Sequence, residues 1–319
     1  MTTRFRRGIL ISCEVPWDDR EELLEAAFRD EVRRVLRLGF QNLYVFGTAG
    51  EGYAVDTRRF REVLQVFAEE TRESGVIPQV GVIALSTPQF HERLEMAWNA
   101  GFRVFQISLP SWGVLNDAEV MKFFREVCGA LPEAQFLHYN LPRTKRVLTP
   151  DDYRKLIDAI PNLVATKNTG LMPRGVTEML RKAGELQHFF AEDQFAIGCI
   201  SGECSLLSSS GKLFPAMAKR FFELGVSGQY DSLFRLLVDY HRVIDDILLE
   251  PAAGLGLMDG GYDKAMVKLA DPDFPLRLLS PYSAMPDRYL KDAVARFRNG
   301  TRTGWKVGID DRNYRENGT

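Results

Sequence analysis

The chain contains 319 residues, of which 45% are hydrophobic and 26% are charged. This balance predicts a folded protein with a substantial core and argues against a disordered chain. The 41 basic and 43 acidic residues nearly cancel, so the composition favours neither nucleic acid nor an anionic membrane as a partner. The length fits one large domain or two small ones.

The N-terminal segment is basic, but the apolar stretch after Arg7 is short and is interrupted by Glu14 and Asp18. This pattern does not fit a secretory signal peptide, and no apolar run reaches the length of a membrane span. The cysteines lack C-x-x-C spacing and are accompanied by only four histidines, which predicts neither a disulfide framework nor a metal site. We therefore expect a cytoplasmic protein with reduced thiols and no metal or organic cofactor. The cysteines are Cys13, Cys128, Cys199 and Cys204.

Short apolar runs typical of buried strands recur along the chain, and amphipathic helical patterns fall between them. In the first of these helical patterns Phe28, Val32 and Val35 share one face. Alternation of strands and helices predicts a parallel sheet with crossover helices. The eight predicted strands cover residues 9–13, 43–46, 80–84, 104–107, 136–139, 163–166, 188–191 and 205–208.

Eight strands is the number that closes a (β/α)8 barrel, a fold of about 250 residues. A doubly wound open sheet is the competing arrangement, but it usually has fewer strands, and no G-x-G-x-x-G motif follows the first strand. We therefore predict an α/β protein with a (β/α)8 TIM barrel over residues 1–225. A C-terminal helical extension should cover residues 226–299, with helices over 230–249, 264–269 and 288–297, and a polar tail should cover 300–319.

The first candidate site is the glycine-rich segment GTAGEG at residues 47–52, directly after the second predicted strand. Its glycines, Gly50 among them, permit positive φ and close approach of the backbone. Successive N–H groups at such a turn can hold an anion, and Thr48 adds a hydroxyl donor. The missing Gly-Lys-Ser/Thr excludes a nucleotide P-loop, and the loop is long enough for only one carboxylate or phosphate group. An ordinary glycine-rich turn explains the same residues.

Tyr139 and Lys167 stand 28 residues apart, each at the end of an apolar run, with a capped helix start at residues 149–157 between them. This strand–helix–strand unit places both side chains at the C-terminal ends of neighbouring parallel strands, where a barrel carries its chemistry. A desolvated lysine there has a lowered pKa and can attack a carbonyl as an amine, while the tyrosine carries protons. A core tyrosine and a solvated lysine ending a strand are the alternative interpretation.

Together these motifs resemble the dihydrodipicolinate synthase and N-acetylneuraminate lyase superfamily of class I, Schiff-base aldolases. The resemblance covers roughly residues 8–270. Between Lys167 and Gly170 the spacing is one residue shorter than the K-x-x-x-G more common in the family. The motifs that carry the resemblance are Gly47-Thr48-Ala49-Gly50-Glu51 (G-[TS]-[TS]-G-E in the family), Tyr139-Asn140-Leu141-Pro142 (Y-N-x-P), Lys167 with Gly170, Glu192-Asp193, and Glu250-Pro251.

The resemblance implies that Lys167 forms a Schiff base with the keto carbon of pyruvate or another 2-keto acid, so that a C–C bond can break or form beside it. It implies that Tyr139 passes the proton and that Thr48 and the Ala49 N–H bind the carboxylate. Leu207 would then lie near the pyruvyl group. A small-molecule 2-keto acid and an aldehyde would be the partners, and the protein would be a homodimer or homotetramer.

The sequence departs from the synthases of this family at three positions. Ala49 replaces a hydroxyl residue that links the catalytic tyrosine to a second tyrosine from a neighbouring subunit, and residues 109–113 (LPSWG) contain no tyrosine there. Arg143 matches the substrate-binding arginine, in a segment that is one residue shorter. These differences argue against lysine-pathway synthase activity. They leave Schiff-base chemistry intact, because that chemistry needs only Lys167 and one proton carrier.

We therefore expect a Schiff-base-forming lyase or aldolase that acts on a 2-keto acid. A dehydratase or hydratase-aldolase, which would expel water from the same iminium, is a close variant. A catalytically silent barrel that binds a keto acid is the alternative from a different class. A phosphate-binding barrel enzyme would use the glycine-rich loop and a second loop, Ser208-Ser209-Ser210-Gly211, but it leaves Tyr139 and Lys167 unexplained.

Overall fold

The computed structural model describes residues 4–249 and 252–300. Eight parallel strands close into a barrel in chain order, because β1 pairs with both β2 and β8. This confirms the predicted (β/α)8 barrel. The strands are β1 (Ile9–Ser12), β2 (Asn42–Val45), β3 (Ile77–Val82), β4 (Val104–Ile107), β5 (Gln135–Asn140), β6 (Leu163–Asn168), β7 (Gln187–Phe190) and β8 (Ser205–Leu207).

A helix follows each strand, and two of these helices begin with a capping box, at Asn116 and at Thr149. Among the described helices, none combines the length and the apolar character needed to cross a membrane. The helices after the strands are α1 (Glu25–Arg37), α2 (Thr57–Thr71), α3 (Thr87–Asn99), α4 (Asp117–Gly129), α5 (Pro150–Ala159), α6 (Pro173–Lys182), α7 (Glu192–Ser201) and α8 (Pro215–Val226).

The predicted C-terminal helices are present, with different boundaries. Helix α9 (Tyr230–Ile244) continues as a π-helical segment (Asp245–Leu249) and is followed by α10 (Asp259–Ala270) and α11 (Asp287–Gly300). The Glu250-Pro251 motif and the polar tail beyond residue 300 lie outside the described residues.

Helix α10 begins at Asp259, before the predicted start at residue 264. The predicted helix began later because Gly260 and Gly261 have a low helix propensity. A Cβ atom on Gly260 would lie 3.2 Å from Leu278 Cδ2 and 3.7 Å from the carbonyl oxygen of Thr48. The glycine therefore lets α10 approach the glycine-rich loop closely, and this packing offsets the low helix propensity.

The protein has two hydrophobic cores, one inside the barrel and one in the layer between the strands and the helices. Because side chains alternate along a strand, residues two positions apart share a face. Tyr139 and Lys167 follow inner-core residues of their strands by two positions and therefore point into the barrel at its C-terminal end. The inner core contains Phe5, Leu10, Tyr44, Val104, Leu137, Val164, Ala165, Phe189 and Leu207.

Strand β2 ends before Phe46, one residue earlier than predicted, because Phe46 adopts a left-handed φ of 65°. Its ring stacks on Phe60 with centroids 4.8 Å apart. Its carbonyl oxygen lies so close to Gly52 and Gly81 that Cβ atoms there would approach it to 2.3 and 1.9 Å. The two glycines therefore permit the sharp turn from β2 into the glycine-rich loop.

The variant Gly81→Ala should lower the free energy of unfolding by about 1–3 kcal/mol, because the new methyl group would overlap the Phe46 carbonyl and force the backbone to move. Gly129→Ala at the end of α4 is the matched control, since nothing lies within 4 Å of its Cβ position. Urea unfolding of both variants measures the difference. A stability of Gly81→Ala equal to that of the control would contradict the close contact at Phe46.

Candidate active site

Strands β5 and β6 place Tyr139 and Lys167 opposite each other in register. The Lys167 side chain is 2% exposed, and its Nζ lies 4.1 Å from the centroid of the Tyr139 ring. A second ring, that of Tyr44 on β2, lies 4.0 Å from the same nitrogen. Within the described residues no hydrogen bond or ion pair is made by this amine, which sits between two aromatic faces at the mouth of the barrel.

Burial lowers the pKa of Lys167 from 10.5 to about 7, and the negative charges of Asp263 and Asp259 offset part of that effect. The tyrosine faces also favour the protonated form through cation–π attraction. In a large fraction of the molecules Lys167 therefore carries a neutral amine near neutral pH. A lysine in this state is a nucleophile for carbonyl carbons.

The Tyr139 hydroxyl forms a hydrogen bond of 3.2 Å with Thr48 Oγ1. Burial raises the pKa of Tyr139 to about 12, although the Thr48 hydrogen bond lowers it in part. The phenol therefore keeps its proton near neutral pH and can donate it to a group bound beside Lys167.

The glycine-rich loop presents backbone donors to the same place. Its internal hydrogen bonds run from the Glu51 N–H to the Thr48 carbonyl and from the Gly52 N–H to the Gly47 carbonyl. Among the described residues the Thr48 and Ala49 N–H groups have no acceptor, and both residues line a cavity above Lys167. Two free N–H groups beside a threonine hydroxyl suit one carboxylate.

This cavity has a volume of about 650 Å³. Tyr44, Tyr139, Lys167 and Leu207 contribute to it from the barrel strands. The C-terminal helices supply a second wall that combines apolar, aromatic and acidic side chains. The residues of that wall include Tyr240, Ile244, Asp245, Leu249, Leu257, Asp259, Tyr262, Asp263 and Met266.

Two of the predicted site residues do not line the cavity. Gly50 has a φ of 78° and turns the backbone of the loop. Arg143 follows β5 in a short 3-10 turn, and its two terminal nitrogens bind the carboxylate oxygens of Asp259 at 2.9 and 2.7 Å. Arg143 thus contacts the start of α10, whereas Lys167, Tyr139, Thr48, Ala49 and Leu207 all line the cavity.

Glu51, the acidic residue of the glycine-rich loop, has a structural position. It is fully buried, accepts hydrogen bonds from the Trp17 indole at 2.9 Å and from the Leu279 N–H at 2.7 Å, and forms an ion pair with Lys264 of α10. These contacts join the glycine-rich loop to α10. They therefore fix the positions of the backbone N–H donors on one side of the cavity and the acidic side chains on the other relative to each other.

Asn140 of the Y-N-x-P motif forms hydrogen bonds near the C-terminal ends of β5 and β6. Its side chain donates to the Leu148 carbonyl at 3.0 Å and to Asn168 Oδ1 at 3.2 Å, and accepts from the Leu148 N–H at 2.8 Å. Asn140 and Asn168 each follow a residue of the site, so their contact holds the ends of β5 and β6 together.

Glu192 and Asp193, the acidic pair after β7, both form contacts within the protein. Ser208 Oγ donates to Glu192 at 2.9 Å, and burial raises the pKa of Glu192 to about 7. The Ser209 N–H also faces this carboxyl group, while Asp193 pairs with His241 of α9 at 2.9 Å. Two donors of the serine-rich loop therefore serve Glu192, which disfavours a second phosphate site there.

Among the cavity residues that were not identified from the sequence, Tyr44, Asp259 and Asp263 interact with Lys167. Tyr44 occupies an inward-facing position near the C-terminal end of β2, and an aromatic residue with a hydroxyl group at that position was the available signal. Asp259 and Asp263 are four residues apart on α10, in a segment predicted only to pack on the barrel. Nothing in their local sequence indicates which side of the barrel the helix covers.

Comparison with known proteins adds a family and a fold. The model of the dihydrodipicolinate synthetase family matches residues 5–255. The N-acetylneuraminate lyase of Shigella boydii is 23% identical over 292 residues, which cover 91% of this chain and 95% of that enzyme.

Solved structures give the same architecture. The Escherichia coli K12 prophage protein YagE in complex with pyruvate has a TM-score of 0.80 at 15% identity, covering 92% of this chain and 98% of that one. CdNal from Clostridium difficile in complex with mannosamine also has a TM-score of 0.80 at 15% identity, covering 92% of this chain and 99% of that one. At such low identity these similarities show the shared fold alone.

The variant Lys264→Met should lower the free energy of unfolding by about 3–5 kcal/mol, because it leaves the Glu51 carboxylate buried without a counter-charge. The double variant Glu51→Gln/Lys264→Met should recover part of the loss, since no buried charge then remains. Chemical denaturation of both variants tests the pair. Equal stability of the single and double variants would show that the ion pair does not hold loop and helix together.

Proposed function

Because the chain belongs to the dihydrodipicolinate synthetase family, we propose that it is a Schiff-base-forming lyase or aldolase that acts on pyruvate or another 2-keto acid. The observation that carries this proposal is the buried amine of Lys167 between the rings of Tyr44 and Tyr139. An N-acetylneuraminate lyase among the relatives supports the reaction class.

The 2-keto acid is held by its carboxylate. The free N–H groups of Thr48 and Ala49, together with the Thr48 hydroxyl, bind the carboxylate oxygens. This contact directs the keto carbon toward Lys167 Nζ, since the loop and the lysine line the same cavity. Leu207 provides an apolar contact for the carbon chain.

The neutral amine of Lys167 attacks the keto carbon, and the carbinolamine that forms loses water. Tyr139 donates a proton to the departing hydroxyl group, for which its high pKa suits it. The product is a protonated Schiff base. Its positive nitrogen accepts the electron pair when the bond between C3 and C4 of the substrate breaks, and the C4 hydroxyl gives its proton to the Tyr139 phenolate that the first step left, which yields an enamine and an aldehyde. The reverse sequence forms the bond.

The cavity has room for more than a three-carbon acid, since about 650 Å³ lies within the usual range for whole small-molecule sites. We infer that the aldehyde portion contacts the wall formed by the C-terminal helices, where Tyr240 and Tyr262 offer polar groups on aromatic rings. Thr48 supplies the hydroxyl group that bonds Tyr139, so Ala49 does not remove this contact as the sequence suggested. The absence of a tyrosine in residues 109–113 still supports a reaction other than that of the lysine-pathway synthase.

We also propose that the protein forms a homodimer or homotetramer. The loop after β4 supports this assembly, because Trp112 is 83% exposed and Val114 is 61% exposed. We infer that these two apolar side chains, which lie on one loop, contact the neighbouring subunit.

Treatment with pyruvate and borohydride should reduce the Schiff base and add the mass of one reduced pyruvyl group. Peptide mapping should place the group on Lys167 and not on Lys212 or Lys264, whose amines are paired with Glu14 and Glu51. Lys167→Arg is the control and should take up no label. Folded wild-type protein that gains no adduct from any small 2-keto acid would refute the proposed chemistry.

The rate of Schiff-base formation should rise with pH through about 7 and then level, because the attacking form is the neutral amine of Lys167. Below that pH the amine is protonated and unreactive. Timed samples quenched with borohydride measure the rate, with N-acetyl-lysine methyl ester as the reference amine. A rate that keeps rising up to an ordinary lysine pKa of about 10.4 would contradict the desolvated environment.

A further inference from the structure

Helix α10 holds Asp263 in a defined position on the wall of the cavity. Lys264, the next residue, forms an ion pair with Glu51 of the glycine-rich loop. Asp259, one turn earlier on the helix, accepts hydrogen bonds from both terminal nitrogens of Arg143. These two ion pairs join the helix to the loop after β2 and to the turn after β5. They therefore fix the part of the helix that carries Asp263.

Asp263 is 6% exposed and lines the same cavity as Lys167. In the part of the chain that the structure describes, no group donates a hydrogen bond to its carboxyl oxygens, and no cation lies within ion-pair distance of them. Buried polar groups normally have a hydrogen-bond partner. A buried carboxyl group that lacks one and opens onto a cavity indicates that a ligand in the cavity is its partner.

Asp263 is mainly a carboxylate near neutral pH. Burial raises its pKa to about 6, and the negative charge of Asp259 also raises it, whereas the positive charges of Lys212, Lys167 and Arg143 lower it in part. A buried charge is costly unless it is hydrogen-bonded or balanced by an opposite charge. The partner that a ligand supplies to Asp263 should therefore be a hydrogen-bond donor.

Three cations near Asp263 are each paired with another carboxylate. The pairs are Lys212 with Glu14, Lys264 with Glu51 and Arg143 with Asp259. Lys167 has no such partner among the described residues, but in a Schiff base its positive nitrogen is balanced by the carboxylate of the 2-keto acid itself. The negative charge of Asp263 then remains unbalanced. A second acid group on the ligand would add to that charge, whereas a hydroxyl group or a cationic nitrogen would stabilise it.

We propose that Asp263 determines substrate specificity. It binds a hydroxyl group or a cationic nitrogen in the part of the 2-keto acid beyond C3, and it excludes substrates whose tail carries a second acid group. The rings of Tyr240 and Tyr262 line the same cavity and suit such a tail, because aromatic rings with hydroxyl groups contact polar chains and cations alike. This inference rests on the proposed Schiff base, since Lys167 fixes the keto end of the substrate.

Four 2-keto acids that share a five-carbon chain and differ only at C5 test this assignment. They are 2-oxopentanoate, 2-oxoglutarate, 5-hydroxy-2-oxopentanoate and 5-guanidino-2-oxopentanoate. Each is reduced onto Lys167 with borohydride at about pH 8, which lies above the Asp263 pKa of about 6. Intact mass gives the concentration for half-maximal labelling. Division by the value for pyruvate in the same protein removes any effect of a variant on Lys167 itself.

In the wild-type protein the hydroxyl or the guanidino acid should reach half-maximal labelling at a concentration about 10- to 100-fold lower than 2-oxoglutarate. The reason is that a hydrogen bond to a buried carboxylate is strong, while a second carboxylate beside it is repelled. The apolar 2-oxopentanoate should fall between them. Preference for the guanidino acid identifies a basic tail, and preference for the hydroxyl acid identifies a hydroxylated one.

The variant Asp263→Asn should lose most of this preference, because it keeps the shape of the side chain and removes its charge. Relative to pyruvate, the donor-bearing acids should bind more weakly and 2-oxoglutarate more tightly. Asp273→Asn is the matched control and should keep the wild-type preference, since Asp273 is exposed and does not line the cavity. Labelling by pyruvate shows that each variant is folded and reactive.

Two results separate this inference from the proposed Schiff base. A wild-type protein that is labelled by pyruvate but binds 2-oxoglutarate as tightly as the donor-bearing acids would overturn the assignment of Asp263 alone, as would an Asp263→Asn protein with the wild-type order of preference. A wild-type protein that traps no pyruvate would instead overturn the Schiff base at Lys167, and the assignment of Asp263 with it.

Discussion

The withdrawal of one amine from water is the constraint on which the rest of the site depends. Lys167 ends a strand inside a closed barrel, so its Nζ lies between two tyrosine rings instead of in solvent. Desolvation of a charged group is costly, and the pKa falls to about 7 because the neutral form avoids that cost. The barrel makes this environment possible, since the strands on both sides of β6 fix the neighbouring side chains.

Three buried lysines show what distinguishes a nucleophile from a structural cation. Lys212 is paired with Glu14, and Lys264 is paired with Glu51, so each charge is balanced by its own carboxylate. Lys167 has no such partner among the described residues. The nearest negative charges act on it only across the cavity, and a substrate can therefore enter between the amine and the acidic wall.

The part of the site that the sequence predicted comes from strand periodicity and barrel closure. Inward positions recur every second residue, and parallel strands end on the same rim, so the ends of β5 and β6 had to bring Tyr139 and Lys167 together. The position of Asp263 depends on contacts between a C-terminal helix and the glycine-rich loop, which no local pattern encodes. Arg143 shows the same limit, because its partner Asp259 lies far away in sequence.

A direct titration of the Lys167 amine by NMR is the most direct test, using protein labelled with ¹⁵N at the lysine side chains and Lys167→Arg to assign the signal. A midpoint near 7 is the result that the desolvated position between Tyr44 and Tyr139 predicts. A midpoint above 10, as in a solvated lysine, would contradict the environment on which the proposed chemistry rests.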